Sequence, residues 1–275
     1  MKTPALLILL AAPAIAAPLQ SAKITQAVNE VNVYTDARSP RAASVGETIG
    51  GANSVRTGRD SRAELVFTDE TITRLGQNSV FRFRNGTRDV ELERGSVLLQ
   101  VPKSAGGATI RTATVTAAIT GTTSMFEYSP GQWVKLLTLE GTQKLFINGS
   151  KDPVLVPAGQ MIVMRPNGRV VPQPVTIDIA KLLATSVLAG NKVFGPLPQG
   201  SLDSIAQTVG DQRQGKRDGG LLPTRQVISG PGVRGSSSKN DVRQPSIERE
   251  DPYDRGEYYP GEGFPYEPPI PPDTQ

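Results

Sequence analysis

Between about residue 23 and residue 171 the chain alternates apolar and polar positions in short runs. In "SVFRFRNGTRDVELERG", Phe81 and Phe83 alternate with Arg82 and Arg84, and Val90 and Leu92 alternate with Glu91 and Glu93. A period of two puts successive side chains on opposite faces of a strand, so one face is buried and the other wet. Asn85-Gly86, between the two runs, is the strongest short signal for a hairpin. "AELVFTDETITRL" repeats the pattern: Ala63, Leu65 and Phe67 share a face, Thr68-Asp69-Glu70-Thr71 forms the turn, and Ile72 to Leu75 returns. "SVLLQV", "WVKLLTLEG", "KLFING", "PVLVPAG" and "MIVMRPNG" continue it, each bounded by Gly, Pro, Asn or Asp. The expectation is an all-β fold of many short strands, wound or sandwich-like. Periodicity leaves open how the sheet closes.

From Thr176 the period changes. In "IDIAKLLATSVLAGN" the residues Ile179, Leu182, Leu183 and Val187 follow helical spacing, with Asp178 placed as N-cap and Gly190 as C-cap. "SLDSIAQTVGD" repeats this in small, with Leu202, Ile205 and Val209 between Ser201 and Gly210. These two predict a short helical extension over residues 173–212 that packs on the β domain. Residues 213–275 are rich in Gly, Pro, Ser and charge, with too little apolar content to offset chain entropy, and predict a disordered tail. Tyr253, Tyr258, Tyr259, Phe264 and Tyr266 are spaced among its prolines. They suit either an extended contact arm or a passive solubilising tail.

The first segment, "MKTPALLILLAAPAIAA", has one Lys near its start, an apolar centre and small residues at its end. That order is the pattern of a secretory signal peptide, and Ala14-Ile15-Ala16 supplies an A-x-A cleavage site. Cleavage after Ala16 is expected, because a cut after Ala17 would leave Pro18 beside the scissile bond. The apolar stretch is too short to span a bilayer and is interrupted by Pro13; no later window is long enough either. The expected organisation is a signal peptide at 1–16, an N-terminal strand segment at 17–44, the β domain at 45–172, then the extension and tail. The expected location is periplasmic or secreted.

Charge and composition remove several functions. Thirty basic residues against 26 acidic ones, without a basic cluster, do not make a nucleic-acid surface. Arg82, Arg84, Arg88 and Arg94, interleaved with Asp89, Glu91 and Glu93, read as solvated strand faces. The absence of cysteine excludes disulfides, thiolate chemistry and a lipid-modified cysteine after the signal. The absence of histidine excludes Ser-His-Asp triads and nearly all zinc sites. No cofactor, metal or catalytic residue is assigned. Gly230-Pro-Gly232-Val-Arg-Gly235 and Ser236-Ser-Ser-Lys239 match dinucleotide-binding and serine-nucleophile patterns only formally, without the strand–helix context either chemistry needs.

Three positions remain as candidates. Asp69-Glu70 is an adjacent carboxylate pair, read as solvated turn acids, although acids distant in sequence could still converge on a sugar. Trp133 opens a strand and is either a packing residue or a ligand contact. In "AAITGTTSMFEY", Gly121-Thr122-Thr123 could be a binding loop, a hydroxyl pair or a bend between strands. Strands on both sides, with no helix following, favour a bend at positive φ or a close approach of strands.

These segments together carry a resemblance. "VGETIGGANSVRTGRDSRAELVFTDETITRLGQNSVFRF", "ERGSVLLQVPKSAGGATIRTATVTAAITGTTSMFEY", "VKLLTLEGTQKLFING" and "VPAGQMIVM" resemble, in that order, the FecR domain over roughly residues 45 to 165. In this resemblance Gly121-Thr122 is the family's signature turn; Thr120 stands where many members carry Arg, and Ser124 precedes Met125-Phe126. The family's best-known members join a cytoplasmic anti-sigma segment and one membrane span to a periplasmic FecR domain that senses an outer-membrane transporter. The resemblance reaches only the last part. It implies an exported, non-enzymatic binding module of the bacterial cell envelope, with an envelope protein or polysaccharide as partner. A carbohydrate-recognition module and a carboxylate-dependent glycan hydrolase are the alternatives. Two carboxylates about 5 to 10 Å apart in a sugar-sized cleft would mark the hydrolase.

Overall fold

A computed structural model describes residues 18–35, 38–51 and 53–215. The leader and almost all of the tail expected from sequence lie outside the described residues. Among the described residues, seventeen strands precede two α-helices. In chain order they are β1 Ser21–Val28, β2 Val31–Thr35, β3 Arg38–Ala42, β4 Thr48–Gly50, β5 Asn53–Thr57, β6 Arg62–Phe67, β7 Ile72–Leu75, β8 Val80–Phe83 and β9 Asp89–Gln100. There follow β10 Ala108–Arg111, β11 Val115–Ile119, β12 Thr123–Ser129, β13 Trp133–Glu140, β14 Thr142–Ile147, β15 Val154–Pro157, β16 Gln160–Met164 and β17 Val175–Thr176. The helices are α1 Ile179–Thr185 and α2 Gln199–Gly215. The all-β expectation holds.

The pairings resolve the closure that periodicity left open. One sheet runs β4-β1-β6-β7-β9-β12-β13-β16-β17. The other runs β3-β2-β5-β8-β9-β10-β11-β14-β15. The first is the covered sheet, whose outer face carries the helical layer, and the second is the open sheet. Strand β9 belongs to both. Its first half pairs with β8 and, in parallel, with β10; its second half pairs with β7 and β12. The switch falls at Gly95, whose φ is +94 and where a Cβ would collide with Ser79. Only glycine meets both conditions, so a segment that reads as two strands forms one bent strand.

The chain passes back and forth between the sheets, and nine of these crossings carry a residue at positive φ. They are Asn29, Gly46, Asp60, Asn78, Gly95, Gly106 with Gly107, Gly121, Gly141 and Gly159. Left-handed backbone is the region that Gly, Asn and Asp tolerate best, which is why these residue types punctuate the sequence where they do.

The inner faces of the two sheets enclose one core, including Ile24, Val33, Val55, Leu65, Phe81, Leu92, Leu99, Ile119, Phe126, Leu136 and Leu145. Strands before residue 45 belong to this body: β1 lies between β4 and β6, and Leu19 is fully buried. The covered sheet buries its outer face too. Leu98, Leu137, Leu139 and Met161 pack against Ile177, Ile179, Leu182, Leu188, Phe194, Leu197 and Ile205. The helical extension is thus a third layer.

Two helix boundaries differ from the sequence expectation. Asp178 does cap α1, accepting from the Lys181 N–H at 3.0 Å. The helix ends at Thr185, however, with Ser186 extended at φ −77 and ψ 131, so Gly190 is not its cap and Val187 is partly exposed. The reason is tertiary, because residues 186–198 must turn to bring two carbonyls and Phe194 onto Arg74. Helix α2 continues five residues beyond Gly210. Gln212 draws it on: its Nε2 donates to the Ile177 carbonyl at 2.6 Å, and its Oε1 accepts from the Ile179 N–H at 3.1 Å.

Candidate interaction surface

The Gly121-Thr122 turn is a crossing from the open sheet to the covered one. Gly121 has φ +57, and a Cβ there would lie 2.6 Å from Lys103 Cγ and 3.1 Å from Lys103 Cα. Thr122 and Thr123 are fully buried, and Thr123 Oγ1 donates to Glu140 Oε2 at 2.9 Å. The structure thus places Gly121, Thr122 and Thr123 in a buried corner between β11 and β12, beside Lys103.

Trp133 lies half-buried at the start of β13. Its indole N–H donates to Glu127 Oε1 at 2.9 Å, and Lys135 Nζ holds the other carboxylate oxygen at 3.1 Å. The ring shares the outer face of the covered sheet with Lys135 and Leu137 and borders neither of the two clefts described below. The Asp69-Glu70 pair separates at its turn. Glu70 is exposed at φ +66, whereas Asp69 Oδ2 pairs with Arg88 at 2.6 Å and accepts from the Thr71 hydroxyl at 2.9 Å. Arg88 also donates to the Gly107 carbonyl. Its side chain is only 12% exposed, which corrects its assignment to a solvated face. The loop it ties to the β6–β7 turn would otherwise leave the Gly107 carbonyl with no such donor.

Sequence reasoning missed Arg74, the largest fully buried side chain. On β7 it points from the covered sheet into the helical layer. Its Nε donates to Glu64 Oε2 at 2.8 Å, Nη1 to the Leu188 carbonyl at 3.0 Å and Nη2 to the Gly195 carbonyl at 2.5 Å. The guanidinium also lies 5.0 Å from the Phe194 ring centroid. Planar and five-donor, arginine can satisfy a carboxylate and two carbonyls at once. The only sequence signal was an Arg inside "TITRL", at a position the alternation assigns to the face opposite Leu75.

The outer face of the open sheet has no such cover among the described residues. One lateral row crosses it: Tyr34, Ser54, Arg82, Glu91, Arg111, Thr116, Phe146, each opposite the next on neighbouring strands. Arg82 pairs with Glu93 at 2.8 Å and Arg111 with Asp89 at 3.6 Å; Glu91 is exposed between them. Arg56 stacks over Tyr34 at 4.1 Å. Two shallow clefts of about 530 and 410 Å³ lie on this face and share Arg84, Glu91 and Arg111, so they form one trough. Asp89 and Glu91 stand two residues apart on one strand and line the same wall. Among the described residues, no three carboxylates converge to hold a metal ion.

All four sheet edges are blunted. Strands β4 and β17 have three and two residues, β3 contains Pro40 and Arg41, and β15 ends on Pro157 with Pro153 just before it. Such edges resist strand addition.

Residues 53–142 match the family model described as FecR protein. The chain carries a FecR domain. The match runs from β5 to the start of β14 and contains five of the seven residues in the lateral row; the α1–α2 layer lies beyond it. Two crystal structures of a candidate anti-sigma factor from Parabacteroides distasonis ATCC 8503 are also similar. One has 15% identity and a TM-score of 0.43, over 56% of this chain and 74% of that one. The other has 11% identity and a TM-score of 0.40, over 57% and 91%. No curated protein matches the chain by sequence. Among the described residues, no helix is long and apolar enough to cross a membrane.

Proposed function

We propose that this FecR-domain protein is an exported, non-enzymatic interaction module of the bacterial cell envelope, and that its open sheet is the docking face. The observation that carries this reading is the asymmetry of the body. One sheet is sealed by the chain's own extension, while the other presents a charged, aromatic-flanked row supplied mostly by the FecR domain itself. The n-region, apolar centre and A-x-A site of the first 17 residues support export. The open trough, with its two acids on one wall, supports binding without catalysis.

Fractionation of cells producing the full chain tests the proposal. The protein should be recovered with the envelope or medium, and its N-terminus should read Ala17. An Arg82→Gln/Arg111→Gln variant should unfold close to the wild-type temperature, because both side chains are about half exposed and their ion pairs contribute little, yet associate less with isolated envelopes. An intact Met1 in the cytoplasmic fraction would overturn the envelope assignment. Unchanged association of the variant would move the docking face elsewhere.

A further inference from the structure

The chemistry of the trough narrows what it takes. It offers charge of both signs in alternation and more polar than apolar surface, so neither a polyanion nor a wholly apolar protein face is its natural complement. The centres of protein interfaces are depleted of Asp and Glu, whereas here Asp89 and Glu91 line the trough beside its arginines. Arg82, Glu91 and Arg111 are direct cross-strand neighbours, giving donor, acceptor, donor at successive strand spacings of about 4.8 Å. That repeat is close to the length of one pyranose unit. Arg84 and Glu91 are exposed, and among the described residues no ion pair or hydrogen bond engages either side chain, so their capacity is free for hydroxyl groups. Phe146, half-buried at the end of the row, supplies an apolar ring face of the kind a sugar covers.

We infer that the trough binds an extended, uncharged polyhydroxylated chain, a glycan strand, laid across strands β8, β9, β10, β11 and β14. Glu91 accepts from its hydroxyls, Arg84 and Arg111 donate to them, and Phe146 packs against one ring. This inference rests on the docking face proposed above and specifies its ligand.

Co-sedimentation of the full chain with insoluble chitin, and separately with isolated peptidoglycan sacculi, tests it. The protein should pellet with at least one of the two glycans. Binding should survive about 1 M salt, where the screening length is ~3 Å, because the contacts are hydrogen bonds to neutral groups. Glu91→Ala and Phe146→Ala should each weaken binding roughly tenfold. Glu91→Ala, on an exposed side chain, should do so without lowering the unfolding midpoint. Absence of binding to both glycans, or binding that Glu91→Ala leaves intact, would overturn the inference. So would capture of an acidic peptide by the same face that salt abolishes. Retention on isolated envelopes without retention on either glycan would sink this inference alone, whereas loss of both would sink the docking face with it.

Discussion

Gly121 is held in place by two independent constraints, its left-handed backbone and the closeness of Lys103. Gly121→Ala is expected to cost about 1–2 kcal/mol from backbone strain alone. Either variant's Cβ must also displace Lys103, and Gly121→Val should cost more, because its branched side chain must displace it further. Urea unfolding of the three proteins checks the order; a midpoint unchanged in the valine variant would return the turn to the candidate loops. Arg74 supports a sharper test. Arg74→Met leaves Glu64 buried without its cation and should cost about 3–5 kcal/mol. Adding Glu64→Leu removes that penalty, but the Leu188 and Gly195 carbonyls stay without their donor, so the double variant should recover only in part. Full recovery would make Arg74 an ion-pair residue and nothing more. Glu47 gives a pH signature. The Arg41 hydrogen bond, helped by the Ser44 N–H, holds its carboxyl below the usual carboxylate range against a smaller opposing effect of burial. Its stabilisation is therefore present above the ordinary carboxylate value of about 4.3 and lost as pH falls through the lowered one. With Arg41 half exposed, Glu47→Gln should cost at most about 1 kcal/mol at neutral pH. In acid the difference from wild type should vanish. The glycine was legible in the sequence because positive φ leaves a mark in residue type. The clamp was not, since nothing local distinguishes a buried arginine from an exposed one.

Among the elements, strands were readable and their joints were not. Alternation placed Ala63, Leu65, Phe67, Phe81, Phe83, Val90 and Leu92 on buried faces, and they line the core. It did not reveal that β9 serves both sheets, because a switch of sheet depends on pairing partners far away in sequence. The helices show the same limit. Spacing found α1 and α2, but tertiary demands on residues 186–198 ended the first early, and Gln212 extended the second beyond Gly210. A consequence follows for truncation. Cutting after Gly210 removes Gln212 and should lower stability by about 1–3 kcal/mol, at roughly 1 kcal/mol for each hydrogen bond lost. Cutting after Gly215 should leave the thermal midpoint where it was. Equal midpoints for the two truncations would show that Gln212 does not anchor the extension.

Among the described residues, 17 strands fold into one continuous sheet doubled over a single core, and the extension covers one of its two outer faces. The sequence carried the all-β class and the FecR resemblance, and it marked the charged strands as wet. It did not show that those charges fall into one lateral row, because register across seven strands is not written in any one of them. The claim at the centre of this account is that the row is where partners dock. Hydroxyl-radical footprinting of the full chain, with and without isolated envelopes, tests it most directly. Tyr34 and Phe146 lie on the open sheet, and Trp133 lies on the opposite outer face, all three partly accessible. Binding should slow oxidation of Tyr34 and Phe146 while Trp133 reacts as before. Protection of Trp133 with Tyr34 and Phe146 unchanged would contradict the account.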